Sequence, residues 1–137
     1  MPKKIVATDR APKAIGPYSQ AVLHEGPGFR TLYCAGQIPL DPATMEVVTG
    51  DARAQTERVL RNIEAVLAAA GMGFADVVRS NVFLVDLADF AAMNEVYASR
   101  FANSPPARST IQVAALPRGS RVEIEVTAVQ ETAVRPT

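Results

Sequence analysis

The sequence has few of the side chains that build metal, disulfide or thiol sites. It contains one cysteine, Cys34, one histidine, His24, and no tryptophan. A single cysteine cannot form a disulfide within the chain, and one Cys with one His cannot supply the usual soft ligands of zinc. We therefore expect a reducing compartment and no zinc centre. His24 lies beside a predicted turn with no second general base nearby, so we expect it to face solvent.

The chain also lacks an excess of charge and any long apolar run. Lys and Arg together number 14, as do Asp and Glu. Broad binding to a nucleic-acid backbone needs clustered cations, so this balance argues against it. No run approaches the roughly 20 apolar residues of a membrane span, and the start MPKKIVATD has no signal-peptide core. We expect a cytoplasmic protein without nucleic-acid or membrane partners.

What is present suits one ordinary globular domain over residues 1–137. Hydrophobic residues make up 48% of the chain, enough to bury a core. Helical spacing of apolar residues from Asp51, ended by Gly71, predicts a first helix. Asp89 is the predicted N-cap of a second helix whose apolar stripe consists of Phe90, Met93, Val96, Tyr97 and Phe101.

The remaining segments predict strands. These are Lys4–Thr8, Ser19–His24, Phe29–Ala35, Val77–Asp86 and two strands of a hairpin between Ser104 and Gln130, joined by the turn LPRGS. In the Val77–Asp86 strand, Val78, Val82 and Leu84 lie on one side and Val77, Phe83 and Val85 on the other, which indicates burial on both faces or a subunit contact.

The order βββαβαββ predicts an α+β fold with a six-stranded mixed sheet and two helices on one face. An apolar opposite face without cover predicts self-association.

Arg108 stands out because it occupies a position in an apolar strand. An unpaired buried charge costs several kcal/mol, so the arginine must meet a carboxylate. Glu123 and Glu125, across the predicted hairpin, are the internal candidates. The alternative is that Arg108 belongs to a solvated cross-strand ion pair of little energetic weight. Spacing alone leaves both interpretations open.

Five segments in one order resemble a known family. They are AIGPYSQAV at 14–22, YCAGQIPLDP at 33–42, NVFLVDLADFAAMNEVY at 81–97, PPARSTIQVAALP at 105–117 and VEIEVTA at 122–128. Together they resemble the RidA/YjgF-type reactive-intermediate deaminases over nearly the whole chain. The resemblance implies a chorismate-mutase-like fold and a homotrimer in which three sheets form a central barrel. It also implies three small-molecule sites in the clefts between subunits.

The resemblance assigns roles to individual residues. Arg108 would clamp the substrate carboxylate, Glu123 would help to place the hydrolytic water, and Tyr18 would belong to the same site. Gly36 would lend its backbone to the pocket. Two positions depart from the family pattern: Thr110 stands where cysteine is usual, and Ala35 replaces a frequent serine, so a thiol and a hydroxyl are missing. Tyr18 could alternatively be a tyrosine at the edge of the core.

The implied reaction is hydrolysis of 2-imino acids, such as the products of 2-aminoacrylate, to 2-keto acids and ammonia. The imine carbon is already electrophilic, so the reaction requires no metal, cofactor or nucleophilic side chain. Three alternatives stay open: a non-catalytic trimer that binds 2-keto acids, an endoribonuclease or translation inhibitor, and a chaperone-like protein.

Overall fold

The computed structural model describes residues 3–133. Within this range, two helices and six strands occur in the predicted order. Their bounds are β1 (Lys4–Val6), β2 (Ala21–Gly26), β3 (Phe29–Cys34), α1 (Ala52–Ala69), β4 (Val77–Leu84), α2 (Phe90–Phe101), β5 (Ala107–Gln112) and β6 (Val122–Glu131). The ends differ from the predicted ones by about two residues; β1 is the shortest strand, because the chain leaves the sheet after Val6.

The strands form one mixed sheet in the order β1-β2-β3-β6-β4-β5. β4 and β5 are parallel, and the other neighbouring pairs are antiparallel. The predicted hairpin of β5 with β6 is therefore wrong, because β4 lies between them. Helix α2 connects β4 to β5 as a crossover, which leaves the other side of β4 for the returning β6.

Both helices cover the same face of the sheet, as predicted. Alternate residues of β6 are buried beneath α1: Val122, Ile124, Val126 and Ala128. The residues of β6 between them, including Glu123 and Glu125, point to the opposite face, which we call the open face. The core thus lies between the helices and one side of the sheet.

A bulge changes which residues of β4 enter this core. The pairing of β4 with β6 shifts its register between Val77 and Arg79. As a result Val77 shares the buried side with Val82 and Leu84, while Val78 is 49% exposed. The predicted division of β4 into two alternating apolar sides is wrong at its first two residues, because the bulge interrupts the alternation.

Both helices have the predicted N-cap residue, but only the first N-cap makes a side-chain hydrogen bond. Asp51 caps α1 by accepting a hydrogen bond from Ala54 N at 3.0 Å, and Gly71, with φ of +71°, ends it. Asp89 makes no cap bond at α2. Its carboxylate instead pairs with Arg121 at 2.9 Å, since the guanidinium competes for the same oxygens. Neither helix is long and apolar enough to cross a membrane.

Candidate active site

A cavity of about 470 Å³ contains four of the six residues that the sequence nominated: Tyr18, Ala35, Gly36 and Glu123. We call these four the glutamate half-site. Most of the remaining lining is apolar, and it comprises Pro12, Lys13, Ile15, Gln20, Gln37, Ile38, Leu40, Pro117 and Arg118. The cavity therefore combines an apolar wall with one carboxylate, which is typical of small-molecule sites.

Gly36 and Glu123 come together because the backbones of Gln37 and Ile124 are paired. Gln37 N donates to Ile124 O at 2.8 Å, and Ile124 N donates to Gln37 O at 3.1 Å. A Cβ on Gly36 would stand 3.0 Å from the Glu123 carboxyl carbon and closer still to Oε2. Any larger residue would force the Glu123 side chain to move, whereas glycine lets its carboxylate lie against the backbone.

The carboxyl group of Glu123 has a raised pKa. Its half-buried position, and secondarily the charge of Glu125, raise its pKa above the ordinary glutamate value. Glu125 accepts a hydrogen bond from Asn81 Nδ2 at 2.9 Å, so it is held in place. Among residues 3–133, no donor and no cation pairs with the Glu123 carboxylate. Its oxygens are available to a ligand or a water.

Two buried amides that the sequence reading overlooked hold the walls of this cavity. Gln20, 4% exposed, accepts from Thr8 N at 2.7 Å and donates to the carbonyls of Thr8, Ala11 and Pro12. Asn62, fully buried, donates to the carbonyls of Ile38 and Leu40. Asn62 could have been found, because it interrupts the apolar face of α1. Gln20 gives no such signal.

Tyr18 lies at the cavity with 52% of its surface exposed. Its backbone N donates to Gly16 O at 2.8 Å, closing a tight turn, and its hydroxyl accepts a weak bond of 3.4 Å from Ile15 N. This tyrosine is therefore a surface residue of the cavity rather than part of the core. The hydroxyl proton is free to be donated.

Arg108 lies in a second cavity, of about 460 Å³, between β5 and α2. Its Nη1 donates to Asn94 Oδ1 at 2.8 Å, and its guanidinium carbon lies 4.6 Å from the centre of the Tyr97 ring and 5.5 Å from that of Phe90. The expected pairing with Glu123 or Glu125 is wrong. Arg108 is opposite buried Ser80 in β4 and so faces the helices, whereas both glutamates face the other side of the sheet.

Asn94 and Tyr97 are the second pair of residues that sequence reasoning missed. Tyr97 is 4% exposed, which confirms its place in the apolar stripe, but its ring also supports the guanidinium of Arg108. Its hydroxyl bonds to Ser80 Oγ at 2.5 Å. Asn94 lies one turn before Tyr97 on the same side of α2. The sequence signal for this cluster was the spacing of three to four residues between Phe90, Asn94 and Tyr97, which places them on one side of α2.

Thr110 lies two residues after Arg108, opposite Val82, and so points to the same side of β5. Its hydroxyl oxygen is buried and has no hydrogen-bond partner in the described chain. We call Asn94, Tyr97, Arg108 and Thr110 the arginine half-site. Within one chain the two half-sites lie on opposite faces of the sheet, and their cavities have no lining residue in common.

The scarce side chains play no visible part in either cavity. Cys34 is buried, and burial raises the pKa of its thiol to about 12, so it stays protonated at neutral pH. His24 is exposed on β2. Residues 3–133 contain no group of three or more His, Cys, Asp or Glu side chains that could hold a metal ion.

Comparison with known proteins identifies the family. The model of a family described as Endoribonuclease L-PSP matches residues 8–130. The chain is 48% identical, over 93% of its length and 92% of the relative's, to the 2-iminobutanoate/2-iminopropanoate deaminase of Mus musculus. The chain belongs to the RidA/YjgF family. Another member, Protein DfrA of Myxococcus xanthus, is 58% identical over 94% of this chain and 97% of that protein.

Solved RidA/YjgF structures agree with the fold. The yjgF gene product of E. coli superimposes with a TM-score of 0.84 at 42% identity, covering 93% of this chain and 98% of the other. E. coli TdcF with bound serine gives 0.85 at 42% identity, with the same coverage. The predicted YjgF-like α+β fold is confirmed. The family thus includes proteins named as imine deaminases and one solved with a bound amino acid.

Proposed function

We propose that the protein hydrolyses reactive 2-imino acids and their enamine forms, such as 2-aminoacrylate, to 2-keto acids and ammonia. The observation that carries this proposal is the state of Arg108 and Glu123. Each has its charged group at a cavity, and neither pairs with an opposite charge within the described chain. A substrate carboxylate and a water molecule are the partners that these groups need.

Arg108 is suited to binding the substrate carboxylate. Asn94 holds one nitrogen of the guanidinium and the Tyr97 ring supports its plane, so the remaining N–H groups are pre-oriented. A guanidinium fork binds a carboxylate through two parallel hydrogen bonds, which fixes its orientation as well as its charge. The clamp thereby sets the position of the imine carbon next to the carboxylate.

Glu123 is suited to moving the protons of the reaction. Its carboxylate takes a proton from water as the water oxygen bonds to the imine carbon, and then passes that proton to the nitrogen, giving a carbinolamine. The carboxylate next takes the proton of the carbinolamine hydroxyl and passes it to the nitrogen, so that the C–N bond breaks, ammonia leaves and the C=O bond of the keto acid forms. The sum is imino acid plus water giving keto acid plus ammonia. Positioned acid–base catalysis typically contributes about 10²- to 10⁴-fold.

Four further residues complete the proposed site. The exposed Tyr18 hydroxyl can donate a hydrogen bond to the reacting nitrogen or oxygen, and the backbone of Gly36 leaves room for substrate beside Glu123. Thr110 lies next to Arg108 and contributes main-chain atoms, and its buried hydroxyl has no partner among the described residues. Ala35 contributes only its position in the wall, because it has no hydroxyl.

The complete site requires two chains, and we infer a homotrimer with sites between subunits. In one chain the glutamate and arginine half-sites lie on opposite faces, so no single copy can present both to one small molecule. β5 is an edge strand with an unpaired side, and the open face carries Tyr33 and Ile111, which are 54% and 49% exposed. Exposed apolar side chains on a sheet face favour association.

A second candidate is a trimer that binds 2-keto acids without turnover. The missing hydroxyl at Ala35 and the missing thiol at Thr110 favour it, because both departures fall in the proposed site. RNA cleavage and chaperone-like activity are further alternatives. Against RNA cleavage, the chain's one histidine, His24, is outside both cavities.

A coupled assay tests the proposal. Amino-acid oxidases, with catalase present, generate imines from several amino acids, and semicarbazide traps those that remain. We expect the protein to divert imine to keto acid, and Arg108→Ala to reduce this rate about 10²- to 10⁴-fold, since each charge-assisted hydrogen bond contributes about 1.5–3 kcal/mol. The matched control is Arg53→Ala, an exposed residue of α1 that pairs with Glu95.

Two outcomes would decide against imine hydrolysis. Full activity of Arg108→Ala on an amino-acid-derived imine would remove the arginine from the mechanism. Wild-type protein that binds a 2-keto acid through Arg108 yet never accelerates imine loss would favour the binding trimer.

A further inference from the structure

Two cationic residues, Lys13 and Arg118, line the cavity of the glutamate half-site. Glu123 is the one acidic residue in that lining, so the cavity carries a net positive charge before Arg108 is added. If a neighbouring chain brings Arg108 to the same substrate, the site contains three cationic side chains and one carboxylate of the protein, that of Glu123. A substrate with a single carboxylate would leave this charge unbalanced.

Arg118 is held at the cavity by an unusual backbone. It has φ of +56°, and its Nη1 donates at 2.8 Å to the carbonyl of Met45, which has φ of +59°. These two are the non-glycine residues with positive φ in the described chain. Such conformations cost about 1–3 kcal/mol and concentrate at functional sites. The bond joins the turn of Arg118, which lines the cavity, to the segment of Met45, which does not, and it leaves the other guanidinium nitrogens unpaired among residues 3–133.

Lys13 also has a fixed backbone and an unpaired charge. It follows Pro12, whose carbonyl accepts a 2.8 Å hydrogen bond from buried Gln20. Its side chain is exposed, and its ammonium makes no ion pair or hydrogen bond with any residue that the structure describes. A lysine on such an anchored segment can reach an anion in the cavity through its flexible stem.

The wall of this cavity suits a substrate that has methylene groups between two charged ends. The apolar wall residues that would contact these methylene groups are Pro12, Ile15, Ile38, Leu40 and Pro117.

We propose that the preferred substrates are 2-imino dicarboxylates, the imines of acidic amino acids, whose second carboxylate binds Lys13 and Arg118. This rests on the proposed imine hydrolysis and names its substrate class. The chemistry is unchanged: water adds to the imine carbon, ammonia leaves, and the 2-keto dicarboxylate is the product. The distal carboxylate takes no part in bond making and acts through binding alone.

The test compares two imines under identical conditions: that of glutamate and that of 2-aminobutanoate, each generated by an oxidase. We expect a higher kcat/KM for the glutamate imine. Lys13→Gln and Arg118→Gln each delete a charge but keep a polar side chain. Each should lower the ratio of the two kcat/KM values by about fivefold or more, the range of a charge-assisted hydrogen bond at a partly exposed site. Lys4→Gln and Arg53→Gln are the charge-matched controls outside the cavity.

The outcomes separate this inference from the proposed function. Activity on both imines with an unchanged ratio in Lys13→Gln and Arg118→Gln would overturn the dicarboxylate preference and leave imine hydrolysis standing. An equal loss on both substrates would also overturn it, because it would mean general attraction of anions. Inhibition constants of 2-ketoglutarate and 2-ketobutyrate, measured on the same variants, must give the same ratio change. Loss of all imine hydrolysis in the wild type would instead refute the proposed function.

Discussion

The glutamate and arginine half-sites are held by different kinds of contact. Glu123 lies on an interior strand, against the backbone of Gly36, and buried amides fix the cavity walls around it. Arg108 lies on the edge strand β5, and its side chain is positioned by stacking and one hydrogen bond to α2. In the first arrangement a half-buried carboxylate lies against paired backbone, which suits a proton acceptor. The second presents unpaired donors outward, which suits a carboxylate clamp.

Gly36→Ala tests the glutamate half-site and has the largest expected effect of the substitutions that compare the two half-sites. The new Cβ would collide with the Glu123 carboxylate and displace it. We expect imine hydrolysis to fall about 10²-fold, the cost of misplacing a catalytic group by roughly 1 Å. Steady-state kinetics of the purified variant measure this loss.

Gly73→Ala is the matched control for that substitution. Gly73 has an extended backbone, and an added Cβ there meets no atom within 4 Å. Its activity and stability should stay at the wild-type level. Normal activity of Gly36→Ala would show that the position of Glu123 does not matter to the reaction.

The pH dependence tests the proton acceptor directly. If the Glu123 carboxylate is the active form, kcat/KM falls as pH drops through its raised pKa, above the ordinary glutamate value of about 4.3. Glu125→Gln removes the second cause of that raised pKa, so the acidic limb should move to lower pH. Burial, the larger cause, remains, and the limb stays above the ordinary value.

The same titration has a defined sign for stability. A folded-state pKa raised above the unfolded one means that Glu123 contributes stability below its unfolded pKa, and this stability is lost as pH rises through the folded pKa.

Glu64→Gln, which changes an exposed acid on the same chain, is the control for Glu125→Gln and should leave the acidic limb of activity in place. A limb that Glu125→Gln leaves unmoved, or shifts upward, would remove Glu123 from the role of base.

Thr110→Val tests the arginine half-site with the smallest expected effect. The substitution keeps the shape and removes a buried hydroxyl without a described partner. We expect the free energy of unfolding to stay equal or rise by about 1 kcal/mol. Urea unfolding at fixed protein concentration measures it, since oligomer stability depends on concentration.

Thr56→Val is the control for this comparison of hydroxyls. Thr56 is fully buried and donates to Ala52 O at 2.6 Å, so its loss should destabilise the protein by about 1 kcal/mol. Thr110→Val behaving like Thr56→Val would mean that the Thr110 hydroxyl finds a partner in another subunit.

Local patterns predicted the elements of the fold but not the neighbours of β5. The 3.6-residue period from Asp51 and the stop at Gly71 located α1, and the element order indicated the mixed sheet. The pairing of β5 depended on the crossover of α2, a tertiary feature that the turn-like LPRGS segment concealed. Asp89 is the N-cap residue of α2, as predicted, but its side chain makes no cap bond, because its carboxylate pairs with Arg121, 32 positions away along the chain.

The sequence likewise predicted some residues of the candidate site but not the residues that surround them. The family resemblance nominated residues by motif, and the structure places Tyr18, Ala35, Gly36 and Glu123 around one cavity. It could not supply the surroundings of Arg108, because Asn94 and Tyr97 reach it through packing between α2 and β5. Nor did it identify Gln20, whose hydrogen bonds go to backbone carbonyls that carry no sequence signature.

Subunit mixing tests most directly whether one site combines Arg108 of one chain with Glu123 of another. Arg108→Ala and Glu123→Gln, each inactive alone, are unfolded together, refolded as a mixture and assayed for imine hydrolysis. A site between neighbours has both wild-type residues when the subunit that supplies Arg108 carries Glu123→Gln and the subunit that supplies Glu123 carries Arg108→Ala. In an equal, random mixture this combination occurs at about one quarter of the sites, so about one quarter of wild-type activity should return. A mixture as inactive as its parents would contradict a site shared between subunits.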